Sequence, residues 1–415
     1  MAAGDALPKD QQGTKILKAV ENEPFKPDSP EALKAQILEA NQAGEILEVI
    51  GNGSKREFGR PVKTVKTLST SALSGIIDYQ PQELLVVAGA GTPLAQLEAA
   101  LAEKGQMLPF EPPHWGNATI GGVLACNLSG PRRIRSGAAR DHLLGFQAVT
   151  GAGDLVRGGG RVVKNVTGYD MSKLMCGSFG TLAVMSEVCV KVLPRPHSER
   201  TILIPGQNET DGFNMMIAAA ASSHEVSGLV HFSPEMILPK GISELEGVGD
   251  GLTAIRVEGP EISVVYRCER LVEGASRQTI FLDGAESQAF WKSVKELEVL
   301  GLKEDENLWR ISVPATSGMG CAQTLRHQAE PRLFHDWGGA LIWAALSGDF
   351  PVKKIHQMAK EAGGHAMCIK GPADDPARLE PFTPPEPGVY QLNQNLKRAF
   401  DPNGVLSPGK IQPEV

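Results

Sequence analysis

Apolar residues in this chain recur at helical spacing in some stretches and as short continuous runs in others, and glycines fall at the joints between them. Ser29 followed by Pro30 predicts an N-cap with proline at the first helical position. Leu33, Ile37 and Leu38 then keep helical spacing as far as Gly44, which suits a glycine just past a helix end. The run 46–50 predicts a strand leading into Gly51-Asn52-Gly53-Ser54-Lys55. Residues 84–88 predict a buried strand, after which Thr92 and Pro93 open a helix carrying Leu94, Leu97 and Leu101 and closed by Gly105. Pro112-Pro113 makes 111–122 an extended, loop-like stretch. Two prolines at 194 and 196 mark a boundary. Beyond it, 252–258, 263–267 and 308–313 read as strands, and 211–221, 285–298, 352–362 and 391–400 as helices. The expected fold class is α+β. The expected divisions are an N-terminal extension (1–24), a first domain (25–198), a second α+β domain (199–380) and a C-terminal segment (381–415) that packs back on the first.

Composition narrows the function. A chain of 415 residues exceeds one compact domain. The 46 glycines and 29 prolines form no repeat, which excludes collagen-like and low-complexity readings and points to many tight loops. A net charge of −7 argues against a general nucleic-acid binder. Cys126, Cys176, Cys189, Cys268, Cys321 and Cys368 share no metal-binding spacing, so an iron–sulfur cluster held by this chain alone is not expected. Residues 1–9 lack a signal core, and no window offers about twenty apolar residues. The expected location is the cytoplasm, or the inner membrane's cytoplasmic face through partners.

Several segments carry candidate chemistry. In Gly51 to Lys55, glycines after a strand let backbone N–H groups converge on an anion, and Ser54 and Lys55 add a donor and a charge. A plain surface turn is the alternative. Gly89-Ala90-Gly91 lacks the third glycine of a dinucleotide fingerprint, since position 94 is leucine. Thr119 with Gly121-Gly122 can press amides against a flat or charged ligand. Arg132, Arg133, Arg135 and Arg140 read as a solvated face, part of an anionic cofactor site, or a docking surface. A longer signature runs from Gly158 through Lys164, Gly168-Tyr169-Asp170 and Gly177-Ser178 to Gly180-Thr181.

Together these segments resemble the FAD-binding domain of the vanillyl-alcohol oxidase, or p-cresol methylhydroxylase-type (PCMH-type), flavoproteins. The resemblance covers about residues 25–198 and 400–410. Residues 109–114, 308–314 and 336–340 are similar to the FAD-binding subunits of bacterial glycolate oxidases within that family. It implies a PCMH-type domain followed by a cap, and a FAD site. Gly51, Asn52, Gly53, Ser54 and Lys55 would wrap the diphosphate, and Asn117, Thr119, Ile120, Gly121 and Gly122 would line flavin and phosphates. Arg135, Gly137, Lys164, Gly168, Tyr169, Asp170, Gly177, Ser178, Gly180 and Thr181 would complete the cleft, with Pro408 to Lys410 returning near the flavin ring. A Cβ at Gly53 or Gly121 is expected to block the diphosphate's approach. Phe179, Ser407 and Asn52 stand where the family often has Glu, Asn and Gly. Relatives that tether flavin covalently do so through a histidine near the first loop, which this chain lacks, so the FAD is expected to be non-covalent.

The implied activity is flavin-dependent oxidation of a 2-hydroxy acid, glycolate to glyoxylate, beside a second flavoprotein subunit and an iron–sulfur subunit. Arg310 is a candidate for the substrate carboxylate or a solvent-facing strand residue, and His365 a candidate base or an ordinary partly buried histidine. No metal site is expected. Two other readings stay open: a self-sufficient flavin oxidoreductase for another hydroxy acid or sugar, and a non-catalytic structural subunit.

Overall fold

In the computed structural model, which describes residues 23–63, 66–161, 168–237, 251–273, 278–372 and 375–413, helix Pro30–Ala43 is bounded as its sequence dictates. The Ser29 hydroxyl accepts from the Ala32 N–H, and Gly44 closes the helix at φ 66°. Leu33, Ile37 and Ala40 bury one stripe against Leu47, Leu68 and Val405. Strand Leu47–Ile50 pairs in parallel with Lys66–Ser69 and, by a single bridge, with Leu406 near the other end of the chain.

Two antiparallel sheets dominate. The first has five strands in the order Ile76–Gln80, Leu85–Gly89, Ala183–Lys191, Leu143–Thr150 and Leu155–Gly159. The second has eight, in the order Ile280–Asp283, Ser198–Gln207, Gly251–Gly259, Gly228–Phe232, Arg332–Asp336, Leu341–Ser347, Glu306–Ser312 and His365–Lys370. Mixed helix and sheet with little sequential alternation makes the fold α+β.

Alternation along the eight strands sorts them into two faces. Trp309, Ile311, Ile342 and Ala344 lie under helices Gly318–Gln328 and Val352–Glu361. Ile202, Ile255 and Val257 lie under helices Glu209–Ala221 and Glu261–Leu271. The opposite face, with Leu203, Ala254, Phe334, Leu341, Trp343 and Met367, shares one continuous core with Phe110, Leu124 and Leu128 of the first lobe. Arg256, Arg310, Asp336 and His365 have this second parity and so face the first lobe.

Two elements differ from the sequence expectation. Residues 263–267 belong to helix Glu261–Leu271, because Val264, Arg267 and Cys268 bury at i, i+3 and i+4 and Pro260 stands at its N-cap. The supposed loop 111–122 runs into a short helix, Ile120–Ala125, whose N-cap Thr119 accepts from the Gly122 N–H at 3.2 Å.

Candidate functional site

Strand Leu47–Ile50 delivers the loop Gly51 to Lys55 to one wall of a cleft of about 720 Å³. Thr119, Gly121 and Gly122 form the facing wall, and Gly180 and Lys410 reach it from two further parts of the chain. The glycines do different jobs. A Cβ on Gly51 would collide with Thr119 Oγ1 across the cleft, whereas Gly53 at φ +81° opens onto free space. At Gly121 a Cβ would meet the Ala90 carbonyl oxygen at 2.6 Å, so this glycine serves close packing against the first sheet. Gly51 thus keeps the two walls of the cleft close together, and Gly53 holds the left-handed turn of the loop.

The cleft's electrostatics fit an anion. The Lys55 ammonium is held below its usual pKa by burial, and it donates to Ser54 Oγ at 3.1 Å. Lys410 is drawn down to about 8, chiefly by burial, and donates to the Arg56 carbonyl at 2.8 Å. Neither has a carboxylate within ion-pair distance among the described residues, because Glu48 at the cleft is engaged by Arg56 at 2.6 Å. Two desolvated cations on one cleft, only partly offset by the more distant Glu48 and Glu296, favour an anion between them. A diphosphate carries the charge and acceptors that would, and Val49, Ala125, Phe179 and Met185 supply apolar lining for ring systems. Cys126 also lines the cleft, and burial pushes its thiol up to about 11, keeping it protonated at neutral pH.

Other sequence-selected residues lie beside or away from this cleft. The Asn117 carbonyl accepts from Asn52 Nδ2 at 3.1 Å, and Ile120 is fully buried behind the wall. Gly177, Ser178 and Thr181 bond within their own turn or to Leu124, and the buried Thr181 carbonyl accepts from Lys397 Nζ. Asp170 caps helix Met171–Met175, and Tyr169 is 93% exposed. Gly168 has no neighbour against a Cβ, and Gly137 adopts φ +87° beside Asp141. Lys164 lies outside the described residues.

The arginine-rich segment is split: Arg135 and Arg140 are exposed, while Arg132 and Arg133 turn inward. Arg132 is buried in an ion network with Glu111, Glu199 and Glu258, and Arg256 adds two further bonds to Glu111 at 2.8 and 2.9 Å. These contacts join the two lobes. Arg133 stacks on Trp337 at 4.2 Å, and Arg135 bonds Glu225. Arg132 is spent on its ion network and Arg133 is turned onto a ring, which corrects the docking-surface expectation for these two residues.

Arg310 is likewise no solvent-facing residue. It lies half-buried on the sheet face toward the first lobe, over the Trp337 ring at 5.1 Å. Burial, then the nearby Arg133, pull it down to about 10, with Asp336 pushing the other way. It lines a second cavity of about 310 Å³ with Trp115, Leu128, Lys295, Asp336 and Trp343. His365, paired through the backbone with Ser312 on the adjacent strand, is shifted below its ordinary value by burial and then by Arg310 and Arg133. Asp336, Lys295 and Trp115 were not site candidates in the sequence, because none lies on the strand that carries Arg310 and only the fold brings them together.

Comparison with known proteins accords with this geometry. A family model described as FAD binding domain matches residues 25–159. Glycolate oxidase subunit GlcE of Escherichia coli (strain K12) is 38% identical over 394 residues, covering 94% of this chain and 99% of the relative. D-lactate dehydrogenase of Archaeoglobus fulgidus is 31% identical, covering 93% and 90% respectively. Glycolate oxidase subunit GlcD of Bacillus subtilis (strain 168) is 32% identical, covering 82% and 77%. The solved structure of p-cresol methylhydroxylase with substrate bound superposes with a TM-score of 0.67 at 13% identity, over 93% of this chain and 88% of that one, and shows the shared fold. The chain belongs to the PCMH-type FAD-linked oxidoreductase family, in the branch of glycolate oxidase subunit GlcE.

Proposed function

We propose that this chain is the FAD-holding subunit of a multi-subunit glycolate oxidase, acting in the oxidation of a 2-hydroxy acid. The observation that carries the reading is the near full-length similarity to GlcE, combined with a cleft whose buried Lys55 and Lys410 have no carboxylate within ion-pair distance among the described residues. Gly51 to Lys55 would hold the diphosphate, with Thr119 and Gly122 opposite and Lys410 closing the cleft. Bound there, FAD supplies a two-electron acceptor for oxidation of a hydroxyl-bearing carbon.

The flavin is held without a covalent bond. No histidine lines the cleft among the described residues, and Cys126, its one thiol, stays protonated and therefore a poor nucleophile. The electrons leave through partners: a second flavoprotein subunit and an iron–sulfur subunit. The described residues hold no cluster of three or more metal-binding side chains and no helix long and apolar enough to cross a membrane, so electron relay and any membrane contact would fall to those partners.

The purified chain should show flavin absorption bands, and heat or acid denaturation should release that flavin into the supernatant. Flavin that stays with the precipitated chain overturns the non-covalent assignment. A chain that takes up no FAD even after incubation with an excess overturns the cofactor site. Anaerobic glycolate added to the complex reconstituted with its partner subunits should bleach the bands; no bleaching overturns the substrate assignment.

A further inference from the structure

Away from the cofactor cleft, a cavity of about 1140 Å³ (open mouth included) lies at the junction of the two lobes, and none of its lining residues lines that cleft. Helix Gly284–Lys295 forms its second-lobe wall. Gly284, Gln288, Trp291, Lys292 and Lys295 stand at i, i+4, i+7, i+8 and i+11, which is one helical face. The first lobe supplies Glu98, the stretch Gln106 to Leu108, and Arg132, and the boundary segment adds Arg195 and His197.

The charges of this cavity are unevenly spent. Its carboxylates are all engaged: Glu98 with His114 at 2.7 Å, Glu199 with Arg132 at 3.3 Å, and Glu111 with Arg132 and Arg256 at 3.0 and 2.8 Å. Arg132 and Arg256 are thereby consumed as well. The remaining basic groups are not. Arg195, His197 and Lys292 make no ion pair with a carboxylate among the described residues, and Lys295 has Glu296 only at 3.9 Å. Five Arg and Lys side chains against three Glu leave a positive surplus in one concavity of a chain whose net charge is −7. Met107, Leu108, Pro196 and Trp291 place apolar wall between the charges, and such walls focus the field into the cavity.

We propose that this cavity binds a small organic polyanion, carrying two or more carboxylate or phosphate groups, which bridges Arg195 and His197 of the first lobe to Lys292 and Lys295 of the second. The size admits a small molecule, and a lining rich in charged and amide side chains suits a polar one. A monoanion meets the cations of one lobe only. A polyanion meets both sets and offsets the repulsion between them. Binding ties the two lobes together at a distance from the flavin cleft, so the occupant is an effector and not the substrate. The inference stands apart from the activity proposed above, because it uses none of the residues assigned to the cofactor.

The test is isothermal titration calorimetry of the full chain, incubated with excess FAD, with citrate and inorganic pyrophosphate as probes and acetate as the monovalent control. Saturable binding of at least one polyvalent probe, one per chain and absent with acetate, is the expected result. Either Arg195→Gln or Lys292→Gln should weaken it about threefold, and the two together about tenfold. Lys353→Gln, on a helix packed against the far face of the second sheet, should leave it unchanged. These three side chains are exposed, so lost binding is not lost fold. The bound probe should also raise the melting temperature of the wild type and not of the double variant. Tighter citrate assigns the site to polycarboxylates, and tighter pyrophosphate to phosphate-bearing molecules. No saturable binding of either probe, equal binding of acetate, or a double variant that binds normally would each overturn the site. Loss of the signal in Lys55→Gln would place the probe in the cofactor cleft and overturn it too.

Discussion

Removing the Lys397 ammonium should detach the C-terminal segment from the cofactor cleft, and the structure sets the size of the effect. Lys397 Nζ donates to Asp401 Oδ2, the Thr181 carbonyl and the Leu406 carbonyl, each at 2.7 Å. Lysine and aspartate are 4% and 1% exposed, and burial lowers the lysine's pKa against the pull of Asp401. Lys397→Met would leave Asp401 as a buried charge with only the Val405 and Leu406 N–H donors, and would orphan two carbonyls. Breaking a buried pair in this way costs about 3–5 kcal/mol, and the two surviving N–H bonds favour the lower end, about 3 kcal/mol. Urea unfolding should show a lower midpoint at unchanged slope. Because Thr181 adjoins the cleft-lining Gly180, and Leu406 bridges the strand that carries Gly51 to Lys55, FAD retention should fall in the same variant. The double change Lys397→Met with Asp401→Leu should recover much of the loss, since a buried pair replaced by apolar groups is often neutral. A loss below about 1 kcal/mol would refute the reasoning, because that is the scale of a solvent-screened surface pair.

Gly51→Ala should abolish FAD co-purification by driving a methyl into Thr119 Oγ1, and Gly53→Ala should weaken FAD retention and lose about 1 kcal/mol to its left-handed backbone, whereas Gly44→Ala, also left-handed but away from the cleft, should lose stability and keep FAD. Flavin absorbance per chain distinguishes them. Arg256→Met should cost about 3–5 kcal/mol by leaving Glu111 underpaired at the lobe junction, measured as a lower melting temperature; an unchanged one would show that the ion network does not hold the lobes. Burial raises Asp336 to about 7, so the folded chain retains a proton that the unfolded chain releases near pH 4. That stability is fully present below about pH 4 and is lost as pH rises through about 7. Asp336→Asn should therefore gain melting temperature relative to the wild type as pH rises from about 4 to about 7 and hold that gain above it, and a pH-independent difference would contradict the assignment.

Much of the local architecture was legible because its causes are local. Ser29, Pro30 and Gly44 bound their helix through groups within three or four residues, and Leu94, Leu97 and Leu101 fill one helix face. The error at 263–267 has the same origin: Val264 and Val265 favour strand locally, but burial of Val264, Arg267 and Cys268 against the sheet selects helix. Composition and spacing offer the loop Gly51 to Lys55 as an anion cradle or a plain surface turn; that it lines a cleft which Lys410 reaches from the far end of the chain is visible only in the fold.

The sequence by itself determined the glycine loops, the helix limits, the α+β class and the resemblance that names the cofactor. Tertiary structure decided which charges are spent and which remain available. Arg132, Arg133 and Arg135 read alike along the chain, but Arg132 finds Glu258 at a separation of 126 residues, Arg133 finds an aromatic ring, and Arg135 finds Glu225 near the surface. For Arg310, strand register decided between a solvent-facing residue and an inward one, turning it toward the first lobe without an ion pair among the described residues. Short-range propensity is set by a residue and its near neighbours, whereas the energy of a buried charge depends on which distant groups the fold brings to it.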